Sequence, residues 1–141
     1  MIHNSSISDF QQAKKLTTDT SRVKNCRLWT ALITPFNQDG KMDLLITGSN
    51  GLTWDSGSNS YIPYTLTLIY KNDGGGIFTD INVPITGVRQ GDAKWGDYDG
   101  DGDLDFLVSG YNTPTSPEFT MLYNNNNGVF TSVSTNIVLA Q

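Results

Sequence analysis

The chain has 141 residues, of which 37% are apolar and 16% charged, with 14 glycines and a single glutamate, Glu118. That length suits one ordinary domain or a short array of repeats, and the plentiful Gly, Asn, Ser and Thr, with no long Ala/Leu/Glu/Lys stretch, exclude a helical protein and predict an all-β chain of short strands and turns. The formal net charge is −5, but six of the 14 acidic residues fall between Asp92 and Asp105, so the acidity is a local cluster.

In chain order, residues 1–24 are polar, without period-2 alternation and without the apolar core of a secretory signal peptide. They are expected to form a disordered leader. His3, the sole histidine, lies in it, so neither a Ser-His-Asp nor a Cys-His arrangement can be assembled. Cys26 is also alone; no intrachain disulfide is possible, and with no activating partner it reads as a small structural hydrophobe. No run approaches the length of a membrane-spanning helix. No basic patch interleaves with aromatics, which speaks against nucleic acid.

From there the chain repeats itself. Gln38-Asp39-Gly40-Lys41-Met42-Asp43 followed by Leu44-Leu45-Ile46-Thr47-Gly48 aligns, at an offset of 62 residues, with Gly100-Asp101-Gly102-Asp103-Leu104-Asp105 followed by Phe106-Leu107-Val108-Ser109-Gly110. A second echo follows each copy: Leu68-Ile69-Tyr70-Lys71-Asn72 ahead of Gly76-Ile77-Phe78-Thr79, and Met121-Leu122-Tyr123-Asn124-Asn125 ahead of Gly128-Val129-Phe130-Thr131. Two features recurring in one order predict stacked β units such as propeller blades.

The first unit, residues 25–88, is expected to hold strands near 28–33, 44–48, 64–70 and 77–79, with a Gly74-Gly75-Gly76 hairpin. That triplet lacks the lysine and following helix of a phosphate loop. Residues 49–63 are expected to form a long polar loop insertion, with 112–117 as its shorter counterpart. The second unit, residues 89–141, is expected to hold strands near 93–96, 104–110, 119–123 and 128–133, the last two joined by an Asn-Gly turn. Trp29 and Trp95 fall in strands and are expected in the core. Trp54, in the polar loop with Asp55 and Tyr61, either anchors that loop or stacks on a sugar or partner.

The chemistry concentrates in the acidic cluster. Asp97, Asp99, Asp101 and Asp105 occupy positions 1, 3, 5 and 9 of a loop with Gly102 at position 6. Calcium takes six to eight hard oxygen ligands, and alternate spacing on a tightly curled backbone points successive carboxylates inward. Gly102 permits the turn, and the backbone carbonyl of Asp103 is expected to add an oxygen while its side chain faces solvent. Asp and Gly are also the commonest turn residues, but four ligands in register with the glycine favour metal over a solvated turn. An EF-hand would need an acidic residue where Val108 stands and a helix after the loop; a strand pattern follows instead. The clustered carboxylates are taken up as ligands, which leaves none free for glycosidase chemistry.

The run Trp95-Gly96-Asp97-Tyr98-Asp99-Gly100-Asp101-Gly102-Asp103-Leu104-Asp105-Phe106-Leu107-Val108 resembles the FG-GAP/VCBS repeat of integrin-α-like propellers and secreted bacterial proteins. The resemblance implies two four-stranded antiparallel blades of a partial β-propeller-like array. It also implies a calcium ion held by the loop at Asp97, Asp99, Asp101, Asp103 and Asp105, and an extracellular or cell-surface setting. In the first copy Pro35, Asn37, Asp39 and Asp43 occupy the ligand positions, so Asn37, Asp39 and Asp43 form at best a weak second site.

The expected function is a calcium-stabilised, non-catalytic binding or adhesion module, a piece of a larger repeat protein. Its partners would be an unidentified protein or glycan, with neighbouring blades or self-association covering its faces. The alternatives are an accessory, carbohydrate-binding domain of a secreted enzyme, and an intracellular calcium sensor.

Overall fold

A computed structural model describes residues 26–57, 59–112 and 118–133. The expected leader lies outside them, as do the side chains of Cys26 and Trp29. Among the described residues there is no helix. Eight strands form two four-stranded antiparallel sheets in plain sequence order. The first sheet holds β1 (Cys26–Thr34), β2 (Asp43–Asp55), β3 (Ser60–Gly74) and β4 (Ile77–Asp80); the second holds β5 (Arg89–Gly96), β6 (Asp105–Tyr111), β7 (Phe119–Asn126) and β8 (Val129–Val133). The all-β expectation and its two blade-like sheets are what the chain adopts.

The expected loop over 49–63 is a correction. Strands β2 and β3 stay paired through Leu52↔Pro63, Thr53↔Ile62, Trp54↔Tyr61 and Asp55↔Ser60, after a bulge between Ser49 and Leu52. Ser, Gly and Asn in this stretch read as loop, but they are confined to the bulge at its start and the turn at its middle. Gly51 (φ +64°) serves the bulge and Asn59 (φ +51°) the turn. Between them Trp54 stands opposite Tyr61, and aromatic cross-strand pairs of this kind favour a pleated ribbon.

The sheets stack through unlike faces. One core cluster joins Leu32, Leu45 and Ile69 of the first sheet to Ala93, Trp95, Phe106, Val108, Tyr123 and Phe130 of the second, with Phe36 and Val88 between them. Trp95, as expected, is core, only 4% exposed. It stacks parallel to Phe36 at 5.9 Å between centroids and meets Phe106 edge-on at 5.4 Å. Aromatic pairs of this kind add roughly 1 kcal/mol each beyond area burial.

By the internal repeat, Phe106, Tyr123 and Phe130 correspond to Leu44, Tyr70 and Phe78. Those three lie on the other face of the first sheet with Ala31, Ile46, Leu66 and Leu68, in a second buried cluster. The first sheet is therefore apolar on both faces, and its β2 shows it as an unbroken buried run from Asp43 to Gly48. The second sheet is apolar on one face, and its β5 alternates Ala93 and Trp95 inward with Asp92 and Lys94 outward.

Polar contacts close the seam. The Thr30 hydroxyl donates to Asp92 Oδ1 (3.1 Å) and lies 3.2 Å from the Gly91 carbonyl. A Cβ on Gly91 would fall 1.9 Å from the Ser109 carbonyl oxygen, so β5 can approach β6 this closely only with glycine there.

Candidate metal centre

The loop between β5 and β6 is built from successive turns in which each aspartate accepts from a backbone N–H ahead of it. Asp97 takes the N–H of Gly100 (2.7 Å) and Gly102 (3.1 Å), Asp99 that of Asp101 (3.3 Å), and Asp101 that of Asp103 (2.8 Å). Gly100 (φ +78°) and Gly102 (φ +94°) supply the left-handed backbone this curl needs.

The curl gathers Asp97, Asp99 and Asp105, whose carboxylate oxygens lie within 4.8 Å of one another. Oxygens sharing one calcium ion, each about 2.4 Å from it, are at most about 5 Å apart, so this all-oxygen donor set fits that ion. Asp97 and Asp99 are exposed and Asp105 is buried. Asn124 of β7 reaches across and donates to Asp99 Oδ2 (2.7 Å).

Asp101 and Asp103 do not join the group of three. The half-buried Asp103 side chain is hydrogen-bonded at the surface: Oδ1 accepts from Gln38 Nε2 (2.9 Å) and Oδ2 from the Asn127 N–H (2.7 Å).

Asp105 has a second job, shared with its counterpart Asp43. Both are fully buried. Asp105 accepts the Tyr98 N–H (2.9 Å) on one oxygen and the Asn125 N–H (2.7 Å) on the other. Asp43 accepts the Phe36 N–H (3.2 Å) and the Asn72 N–H (2.8 Å) in the same way.

The two asparagines complete the brace. Asn125 donates from Nδ2 to the Leu104 carbonyl (3.0 Å) and accepts the Gly128 N–H (2.8 Å); Asn72 donates to the Met42 carbonyl (3.0 Å) and accepts the Gly74 N–H (2.9 Å). Each Asp–Asn pair thus ties the loop, the second strand, the third strand and the final hairpin of its sheet. Sequence reasoning missed Asn72 and Asn125, although their signal, Tyr-x-Asn recurring at the end of the third strand, was present in the second echo.

The first loop keeps this brace but not the cluster. Among the described residues only Asp97, Asp99 and Asp105 form a three-carboxylate group. Lys41 stands where the second loop has Asp103. Its N–H donates to Asp39 Oδ1 (2.9 Å) and its ammonium lies 3.4 Å from Oδ2. The Lys41 N–H and ammonium hold the Asp39 carboxyl below its ordinary range. Burial, only partly offset by the Asn72 and Phe36 N–H groups, pushes Asp43 above it.

At the far tip of the β2–β3 ribbon, Trp54 and Tyr61 meet edge-on at 5.0 Å, 52% and 64% exposed. They anchor each other and still present open ring surface.

Comparison with protein families gives a match to the FG-GAP-like repeat over residues 36–108, just over half of the chain. The match runs from the start of the first loop through the second loop and most of β6. The chain belongs to the FG-GAP-like repeat family. Comparison with curated proteins and with solved structures found no match.

Proposed function

We propose that the chain is a calcium-stabilised, non-catalytic binding or adhesion module in an extracellular or cell-surface setting. The observation that carries this reading is the convergence of Asp97, Asp99 and Asp105 oxygens within 4.8 Å, on a loop whose spacing is that of a calcium ligand set. The ion would neutralise carboxylates that otherwise repel one another and would hold β5 and β6 at their junction. Calcium is the cofactor of this reading, and Asp101 and Asp103 add negative charge on the same loop without joining the gathered group. Further blades, or a second copy, would stack on the sheet faces, and a protein or glycan is the ligand. The test is a melt with calcium and with chelator: calcium raises the midpoint in the wild type, and Asp99→Ala removes the rise. A wild-type melt indifferent to chelator overturns the reading.

A second reading, an accessory carbohydrate-binding domain of a secreted enzyme, is favoured by the open Trp54–Tyr61 pair, because aromatic faces stack on the apolar faces of sugars. A glycan array separates the two: binding that Trp54→Ala abolishes supports this second reading, and a blank array rejects it.

A further inference from the structure

We propose that Gln38, on the loop of the first sheet, is a positioning residue for the calcium loop of the second, so that the metal centre is completed across the two blades. The inference rests on the calcium reading above and goes beyond it. By the internal repeat Gln38 stands where the second loop has Gly100, and the two share a left-handed backbone, φ +58° and +78°. Glycine adopts that conformation without strain; glutamine does so only where its surroundings hold it there.

The side chain shows what holds it. Gln38 Nε2 donates to the Gly102 carbonyl at 3.0 Å and to Asp103 Oδ1 at 2.9 Å, 64 and 65 residues away in the chain. One amide group thereby fixes both ends of the Gly102–Asp103 unit. It acts with the Asn127 N–H, which holds the other oxygen of Asp103 at 2.7 Å. Deeper in the seam, Asn125 Nδ2 lies 3.3 Å from the carbonyl of Phe36, at the start of the first loop. The two loops are therefore one hydrogen-bonded unit, and the first contributes an orienting contact where it no longer contributes carboxylates. Partners that orient a ligand loop commonly change metal affinity by about 10- to 100-fold, and an exposed one falls at the low end.

The test is calcium titration calorimetry on the full chain, wild type against Gln38→Gly. This variant deletes the side chain and relieves the left-handed strain, and its metal-free melt reads whether it folds. The expected result is a roughly tenfold weaker calcium Kd with a metal-free melting midpoint equal to or above that of the wild type. In an Asp103→Ala background the same substitution should cost less, because one of its two acceptors is gone. Unchanged affinity in Gln38→Gly overturns the inference while leaving the calcium reading intact. A lowered metal-free midpoint with unchanged affinity overturns it too, since that is a purely structural role. A wild type that binds no calcium overturns both.

Discussion

The two loops share a backbone curl, a buried ninth-position aspartate and a partner asparagine, yet only one gathers carboxylates. In the second loop Asp97, Asp99 and Asp105 converge. In the first, Pro35 and Asn37 replace two of those ligands, and Lys41 brings a fixed cation to Asp39. The difference teaches that the loop serves two separable ends. Asp43 and Asp105 hold strands together through backbone N–H groups. The remaining aspartates of the second loop add a gathered set of carboxylates, which the first loop lacks while keeping the same brace.

The comparison breaks most easily at its common element. Asp43→Ala and Asp105→Ala each strand two backbone N–H groups, and each should cost about 3 kcal/mol in urea unfolding with chelator present. Similar losses confirm that the clasp is independent of metal; a loss confined to Asp105→Ala would show that the first loop has dropped this role as well.

A smaller effect sharpens the difference between the loops. At a calcium concentration about 100 times its Kd, the ion should add about 2.7 kcal/mol to the wild type. Asp97→Ala should remove this gain and Asp39→Ala should leave it, as read by unfolding midpoints with and without calcium. A gain lost in Asp39→Ala would make the first loop a metal site.

The smallest effect lies at the seam between the sheets. Burial works against ionisation of Asp92, but the Lys94 ammonium, the Ala93 N–H and the Thr30 hydroxyl together hold its carboxyl below the ordinary value of 3.8. A depressed carboxylate stabilises the fold above its unfolded value and loses that contribution as pH falls through and below it. Solvent screening keeps the loss small. Stability measured in chelator should therefore fall less between pH 5 and pH 3 in Asp92→Asn than in the wild type, and an identical fall would show that this contact carries nothing.

Much of the fold was legible because two signals coincided. The echo of Asp-Gly-x-x-Asp set the repeat, and the Gly-rich or Asn-Gly pairs marked the last hairpin of each sheet. The acidic spacing located the carboxylate cluster for the same reason: Asp at alternate positions of a curled loop brings Asp97, Asp99 and Asp105 to one side of it. What stayed hidden was long-range. Nothing in Gln38 taken alone shows that its amide reaches a loop more than sixty residues on. Asn72 and Asn125 sit among other turn-forming residues, so their buried roles are invisible until Asp43 and Asp105 are seen to need partners. The ribbon over residues 49–63 failed for a local reason: glycine and asparagine at its bulge and turn outweighed the Trp54–Tyr61 pairing that decides its structure.

That ribbon stands apart energetically from the sheet it grows out of. Past the bulge, Leu52 to Asp55 pair with β3, and among the described residues β1 pairs no further than Asn50; a two-stranded ribbon in water is marginal. The edge-on contact of Trp54 with Tyr61 is a single rivet near its end. Fluctuations should therefore unzip the tip while the blades stay folded. In the time domain, the amide protons of Leu52 to Asp55 and their β3 partners should be lost to heavy water sooner than those of the other described strands, and a protease should nick the tip before it cuts those strands.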